Sequence, residues 1–489
     1  MQSGDGELSP VVAETEVRRA DVGLRSERGP VLLSIMLGVG LVAIDSTILA
    51  TAVPSIVRDL GGFAQFPWLF SIYLLTAAVS TPIFAKFSDI HGRKPVMLIG
   101  VALFVLGSIL CGFAWNMTAL IVFRGLQGLG AGAIQPTSMT IIGDLYSLAE
   151  RAKVQGYVAS VWAMSAVVGP TLGGVFSDFL TWRWIFFVNV PLGALAAWML
   201  FRHFHEDVNR GRHTIDVAGA VLLTLASTML IFGLLEGGVL WSWLSPWSIG
   251  VLGVGVLLLA AFVGVERKAA EPIVPGWVFR RRLLVGANLT NLAVGVMLIG
   301  LTSYVPLYVQ DVLGTSALVA GSALAALTIG WPISASLSGR IYLKIGFRNT
   351  SLIGSVIAGA GAVLLILLNA GSSVWWVALT CFVIGLGMGL VASPTLVAAQ
   401  SSVDWSSRGV VTGTSMFARS MGSAVGIAIF GAIANAAIGT QSHGSTSNGV
   451  PPAILEPALH QVFVAAALVA VLMLVAVAIM PRRAPGALA

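Results

Sequence analysis

Fourteen apolar stretches, each about long enough to cross a bilayer, occupy most of the chain between Val31 and Met480. A hydrocarbon core takes about 20 apolar residues per helix. Inside it each backbone polar group has to be satisfied within the segment or within a closed barrel. The runs here are continuous rather than alternating, so they are expected to be helices. They begin with 31–53 and end with 460–480, and 215–237 and 247–265 stand in the middle. Charge agrees with this: 10% of the 489 residues are Asp, Glu, Lys or Arg, against about 25% in a soluble domain. The expected fold class is an all-α polytopic membrane protein with 14 transmembrane helices.

The lysines and arginines test the count. With the N-terminus inside, all but four of the 27 fall on internal segments; Arg58 and Arg183 fall outside, and Arg124 and Arg419 lie within spans. An odd error in the number of helices would scramble that separation, so the positive-inside rule supports both topology and orientation. The expected location is the cytoplasmic (inner) membrane, multi-pass, with both termini cytoplasmic. The formal net charge of +6 then reflects basic internal loops rather than a nucleic-acid partner. Residues 1–30, of mixed charge, read as a disordered tail, and 482–489 as a second one. Cys111 and Cys381 sit in apolar runs and form no metal-type spacing.

The chain repeats itself. "AKFSDIHGRK" (85–94) matches "GRIYLKIGFR" (339–348) at an offset of 254, and "GLGAG" (128–132) matches "GLGMG" (385–389) at 257. Arg151 and Arg408, Gly156 and Gly413, and Gly169 and Gly426 share the second offset. Two six-helix halves, 31–205 and 271–481, separated by a two-helix insert, 206–270, account for the spacing. Such repeats mark secondary transporters, whose substrate and ion sites lie near the midplane between halves.

Asp45 is the only one of the 21 carboxylates that falls deep in a span. An acid at that depth costs roughly 2.5–3.5 kcal/mol even on the forgiving insertion scale, and such residues face the bundle interior. Arg124, Gln127, Ala131 and Gln135 share one face of the fourth helix; Arg124 is either Asp45's neighbour or a structural cation. Arg419, deep in helix 13, either recruits an anionic group or carbonyl or pairs with a backbone carbonyl. Asn288, Asn291, Tyr304 and Tyr308 on helix 9 are candidates for a cavity wall, the two asparagines also for interhelical hydrogen bonds. The short loop with Asp89, Gly92, Arg93 and Lys94 is either an ordinary basic turn or a charged lock. "RHFHED" (202–207) reads as a solvated interface rather than a metal site.

Several of these stretches together resemble the major facilitator superfamily, and within it the fourteen-helix drug:proton antiporter family. The helix 2–3 loop matches in Asp89, Gly92, Arg93 and Lys94, and departs at Ala85, where glycine is usual, and at Ile90, where a base is usual. The second copy has Leu343 and Phe347 in place of the acid and one base, which assigns any charged lock mainly to the first half. Arg124, Gln127 and Gly128 reproduce the helix 4 motif. Gly156, Gly169, Pro170, Gly173 and Gly174 resemble the antiporter motif of helix 5, with Ser165 where glycine is usual; in the family this motif marks exporters. "DSTILATAVP" (45–54) and "WRWIFFVNVPLG" (182–193) resemble two further signatures, and the likeness covers nearly all of 31–436.

The resemblance implies a major facilitator fold and a non-enzymatic, proton-coupled antiporter exporting amphipathic or hydrophobic small molecules (multidrug efflux) by alternating access. The alternative is a dedicated proton-driven exporter of one lipid, siderophore or other metabolite. Asp45 and Arg124 are the expected proton-coupling pair, and Asp89, Gly92, Arg93 and Lys94 the cytoplasmic gate. The glycines and proline of helix 5 form the hinge, and Tyr73, Gln127, Gln135, Trp162, Asn291, Tyr304 and Arg419 the substrate cavity. The expected partners are small-molecule substrates, protons and membrane lipids, with no nucleic acid, and the chain is expected to act as a monomer. No cofactor is expected, the proton gradient supplying the energy, and no G-x-x-x-x-G-K-[ST] phosphate loop is present.

Overall fold

The computed structural model describes residues 22–61, 68–206, 216–237, 241–269, 272–315, 317–439 and 452–482. In these segments fourteen long helices follow one another: α1 (Gly29–Leu60), α2 (Trp68–His91), α3 (Arg93–Gly112), α4 (Met117–Leu145), α5 (Leu148–Phe179), α6 (Trp184–His203), α7 (Val217–Glu236) and α8 (Pro246–Glu266). They continue with α9 (Arg282–Val312), α10 (Ala317–Ile345), α11 (Phe347–Ile366), α12 (Val374–Ser401), α13 (Arg408–Gly439) and α14 (Pro452–Ile479). Twelve are apolar and long enough to cross a membrane; α5 carries charge at its start, and the apolar part of α7, Ala218–Leu234, is shorter. The expected tail 1–30 falls mostly outside the described residues. Its end does not: Val22 is buried in the first half's core, and Arg28 pairs with Glu150 at 2.7 Å.

Local chemistry sets the helix ends. The side chain of Asn116 accepts from Ala119 N at the start of α4, Asp216 accepts from Gly219 N at the start of α7, and Ser147 with Glu150 forms a capping box on α5. The tight turns α2–α3 and α10–α11 pivot on Gly92 (φ 97°) and Gly346 (φ 84°), left-handed conformations that a side chain would strain. The two glycines hold equivalent places in the repeat.

Packing repeats as well. Within the first half, α4 packs on α2 and α3, and α1 on α5 and α6; within the second, α12 packs on α10 and α11, and α9 on α13 and α14. The halves meet where α5 crosses α10 and where α13 crosses α2. Leu32, Leu41, Phe104, Ile134 and Ile142 belong to one core, and Met297, Leu327, Ile384, Met388 and Phe463 to the other. The insert is asymmetric: α7 seats against α2 and α13, with Ile231 buried beside Leu75 and Ala424. Its partner α8 leans on α7 and leaves Val256 and Leu257 exposed, as a lipid-facing helix would.

Candidate functional site

Glycine brings the helices of the site close together. A Cβ on Gly128 would strike Thr76 and the Tyr73 carbonyl of α2, and one on Gly107 would lie 2.7 Å from Gln127 N. The α2–α4–α3 sandwich therefore closes tightly at the level of Gln127. On the other side of α1, Gly169 of α5 admits Thr47, whose hydroxyl donates to Ser165 O at 2.9 Å.

Between these helices lies a buried polar cluster. Arg124 Nη1 donates to Asp45 Oδ2 at 2.5 Å and to Gln127 Oε1 at 2.7 Å, and Nε to Leu69 O at 3.1 Å. Gln127 Nε2 donates to Asp45 Oδ1 at 2.8 Å and to Ser108 Oγ at 2.7 Å. Asn189 Nδ2 approaches Asp45 Oδ1 and Ser108 Oγ at 3.4 and 3.3 Å. Asp45 and Arg124 are each 1% exposed. A pair this enclosed survives because hydrogen bonds satisfy it on every side. The Arg124 guanidinium also lies over the Tyr73 ring, 4.2 Å from its centroid.

Tyr73 faces two ways: it covers Arg124 and lines a cavity of about 210 Å³ between the halves. Its buried hydroxyl has no hydrogen-bond partner among the described residues. Gln135 of α4, Trp162 of α5, Ile231 of α7 and Arg419 of α13 share the wall with it. Ser46, next to Asp45, lines it too. Three residues expected on the wall are elsewhere. Gln127 is enclosed in the Asp45 cluster. Asn291 lies behind Arg419, accepting from its Nη2 at 2.9 Å, and Tyr304 packs its ring edge-on against Phe430. Asn288 accepts from Ser415 Oγ at 3.0 Å as an interhelical bond.

A second polar cluster closes the end of the bundle where the basic loops gather. Asp89 accepts from the backbone N–H groups of Gly409 and Val410 at 3.0 and 2.8 Å, which places a carboxylate at the N-terminus of α13. Arg93, fully buried, pairs with Asp89 at 2.8 Å and Asp144 at 3.0 Å, donates to Trp405 O, and lies over the Trp405 ring at 3.8 Å. Arg408 reaches Asp144 Oδ1 and Gly143 O, while Arg151 reaches Gly143 O and Ser401 Oγ. Lys94 takes no part in this closure; its Nζ donates to Phe201 O, within the first half. Glu206 caps α3 by accepting from the Arg93 and Lys94 amides. Among the described residues, the hydrogen bonds that cross between the halves all lie at this end.

The helix 5 glycines divide between two contacts. A Cβ on Gly156 would lie 2.8 Å from Ser336 of α10, and one on Gly169 would strike Thr47 of α1. Gly413 and Gly426 repeat the pattern against Ala85 of α2 and Val296 of α9. Ala85, where the family uses glycine, thus has its methyl received by Gly413. Pro170, Gly173 and Gly174 continue along α5. Sequence reasoning missed Ser108, Asn189, Asp144 and Glu206. Asn189 stood inside the quoted 182–193 stretch, whereas nothing near Asp144 distinguishes it from an ordinary helix-end acid.

A family model described as Major Facilitator Superfamily matches residues 35–427. "Multidrug resistance protein 3" of Bacillus subtilis (strain 168) is 37% identical over 403 residues, covering 82% of this chain and 79% of that protein. "Multidrug transporter protein MdtP" of the same organism is 35% identical over 414 residues, covering 85% and 76%. Among solved structures, that of the human organic anion transporter MFSD10 (TETRAN) is similar with a TM-score of 0.68 over 92% of this chain and 99% of that one. Its 15% identity makes this a likeness of fold alone. With the family pattern spanning both halves and relatives matching across most of their own length, the chain belongs to the Major Facilitator Superfamily.

Proposed function

We propose that the protein exports amphipathic small molecules across the cytoplasmic membrane in exchange for protons, by alternating access, with both termini in the cytoplasm. The names of the relatives, a multidrug resistance protein and a multidrug transporter, support the cargo class. One observation carries the coupling: Asp45 is a carboxylate enclosed between helices and tied to Arg124, whose guanidinium lies over the ring of Tyr73, a residue of the cavity wall. Protonation at Asp45 Oδ2 removes the charge that anchors Arg124 Nη1. The guanidinium then depends on Leu69 O, Gln127 Oε1 and the Tyr73 ring, so α1, α2 and α4 repack around the wall that holds cargo. Proton release restores the ion pair. Each state suits one occupant, which is the requirement for exchange.

The test is pH-jump-driven efflux from proteoliposomes. Asp45→Asn keeps the size and the Gln127 contact but cannot ionise, and transport should fall to the protein-free leak. Asp45→Glu should restore part of it. Undiminished gradient-driven efflux by a folded Asp45→Asn protein would sink the assignment.

A further inference from the structure

The cavity carries a charge that the proton site does not explain. Among the described residues, Arg419 is the one charged side chain on its wall and no carboxylate lines it. Its Nη2 donates to Asn291 Oδ1, whereas its Nε is buried and has no hydrogen-bond partner among the described residues. A guanidinium offers five N–H donors in a fork that matches a carboxylate or phosphate bidentately. Asn291 engages one of them. Holding an unneutralised cation between helices is costly, and a partner of opposite charge arriving in the cavity would remove that cost. Asp45 is not that partner: it is enclosed with Arg124 and Gln127 and is not among the residues that line the cavity with Arg419. Trp162 of α5 lines the same cavity, is 38% exposed, and stands at the position related to Arg419 by the internal repeat. The wall thus joins an aromatic, apolar face to a single cationic pole.

We propose that the cavity selects amphipathic anions: an apolar or aromatic body bearing a carboxylate or comparable oxyanion, with the charged end held by Arg419. The direction in which such cargo moves rests on the export reading above; its binding does not. A permanently cationic amphipath of the same shape meets an uncompensated positive charge and is disfavoured.

The experiment measures binding of a matched pair, 1-pyrenebutyrate and 4-(1-pyrenyl)butyl-trimethylammonium, to the full-length protein in phosphatidylcholine nanodiscs by fluorescence anisotropy. The carboxylate should bind more tightly. In Arg419→Gln the ratio of carboxylate to ammonium affinity should fall about tenfold, the scale of one charge-assisted hydrogen bond. Arg419→Lys should retain part of the ratio. Equal or tighter binding of the ammonium probe by the unaltered protein, or an unchanged ratio in Arg419→Gln, overturns the proposal. Should Arg419→Gln not fold, the unaltered protein's ratio and Arg419→Lys still decide. Discs containing phosphatidylglycerol separate the two sources of oxyanion: competition in those discs identifies a lipid headgroup as the anion held, and its absence a free cargo. Both support the class. Carboxylate preference without pH-driven transport would overturn the antiport reading alone; pH-driven transport without that preference would overturn this one alone.

Discussion

Asp45 and Asp59 lie on one helix and separate two kinds of acid. Asp59 sits at the far end of α1 from the basic loops, where Trp182 Nε1 and Arg183 Nη1 donate to its Oδ2 at 2.9 and 2.7 Å. The Trp182 bond first, and then Arg183, hold its carboxyl below the usual carboxylate range. A depressed value means that the ionised form is favoured in the folded protein. The clasp is therefore complete above the ordinary carboxylate pKa and is lost only as pH falls through the lowered one. Over about pH 5 to 8 Asp59 stays ionised. Asp59→Asn should accordingly leave the pH dependence of initial transport rates unmoved, while Asp45→Asn should flatten it. A shifted midpoint in Asp59→Asn would transfer proton coupling to the clasp. The distinction was partly legible in the sequence, because Asp45 stands alone among apolar residues. The partners that make it a site, Ser108 and Asn189, were not. A serine or asparagine in a membrane helix has many uses, and only packing shows that Asn189 reaches Asp45 Oδ1 while Ser108 accepts from Asn189 and from Gln127.

At the scale of elements, the short glycine matches prove to be contacts. "GLGAG" and "GLGMG" are the strips by which α4 and α12 admit their two neighbours: Gly128 and Gly132 face α2, and Gly385 and Gly389 face α10, while Gly130 faces α3 and Gly387 faces α11. Repeat and contact could both be expected from the sequence, since close approach demands the same missing side chain in both copies. The lock is different, because the two copies share it unequally. Arg408 meets Asp144, while Arg151 meets Ser401 in the related place. Tyr342, whose hydroxyl donates to Leu148 O at 2.8 Å, latches the start of α5 in the second half's share of the lock. Neither partner is near its mate in sequence, so only the fold reveals the pairing. Ser401→Asp would give Arg151 a carboxylate partner, its Nη1 lying 3.3 Å from the serine oxygen. It should favour the closed basic end and slow turnover several-fold, and steady-state transport with thermal unfolding would read the two effects. Faster transport would mean that closure is not the state being stabilised. The role of the insert was hidden for another reason: α7 is apolar on all faces, so its periodicity names no partner.

Across the whole molecule, the bundle is sealed at its basic end and holds its cavity beyond the seal. The seal is built from few parts: the Asp89 carboxylate at the N-terminus of α13, Arg93 beneath Trp405, and Asp144 shared between Arg93 and Arg408. The alternating access proposed above requires this end to open, so on that reading the contacts have to be strong enough to close it and weak enough to break. Removing the Asp89 charge tests that balance. Asp89→Asn still has an oxygen for one amide, but it loses the attraction to the helix N-terminus, worth about 0.3–2 kcal/mol, and leaves Arg93 with Asp144 as its nearest acid. The equilibrium should move toward opening by up to about thirtyfold. Cys111 and Cys381 are buried and free, so single cysteines introduced on the cavity wall can be labelled against a low background. A cysteine at Ala131 should react faster with a thiol reagent supplied at the basic end in Asp89→Asn than in the parent, and more slowly with one supplied at the far end. Faster reaction from both ends would indicate a loosened bundle rather than a shifted one. Unchanged rates would show that Arg93, Trp405 and the α5–α10 and α13–α2 crossings hold the seal without the acid.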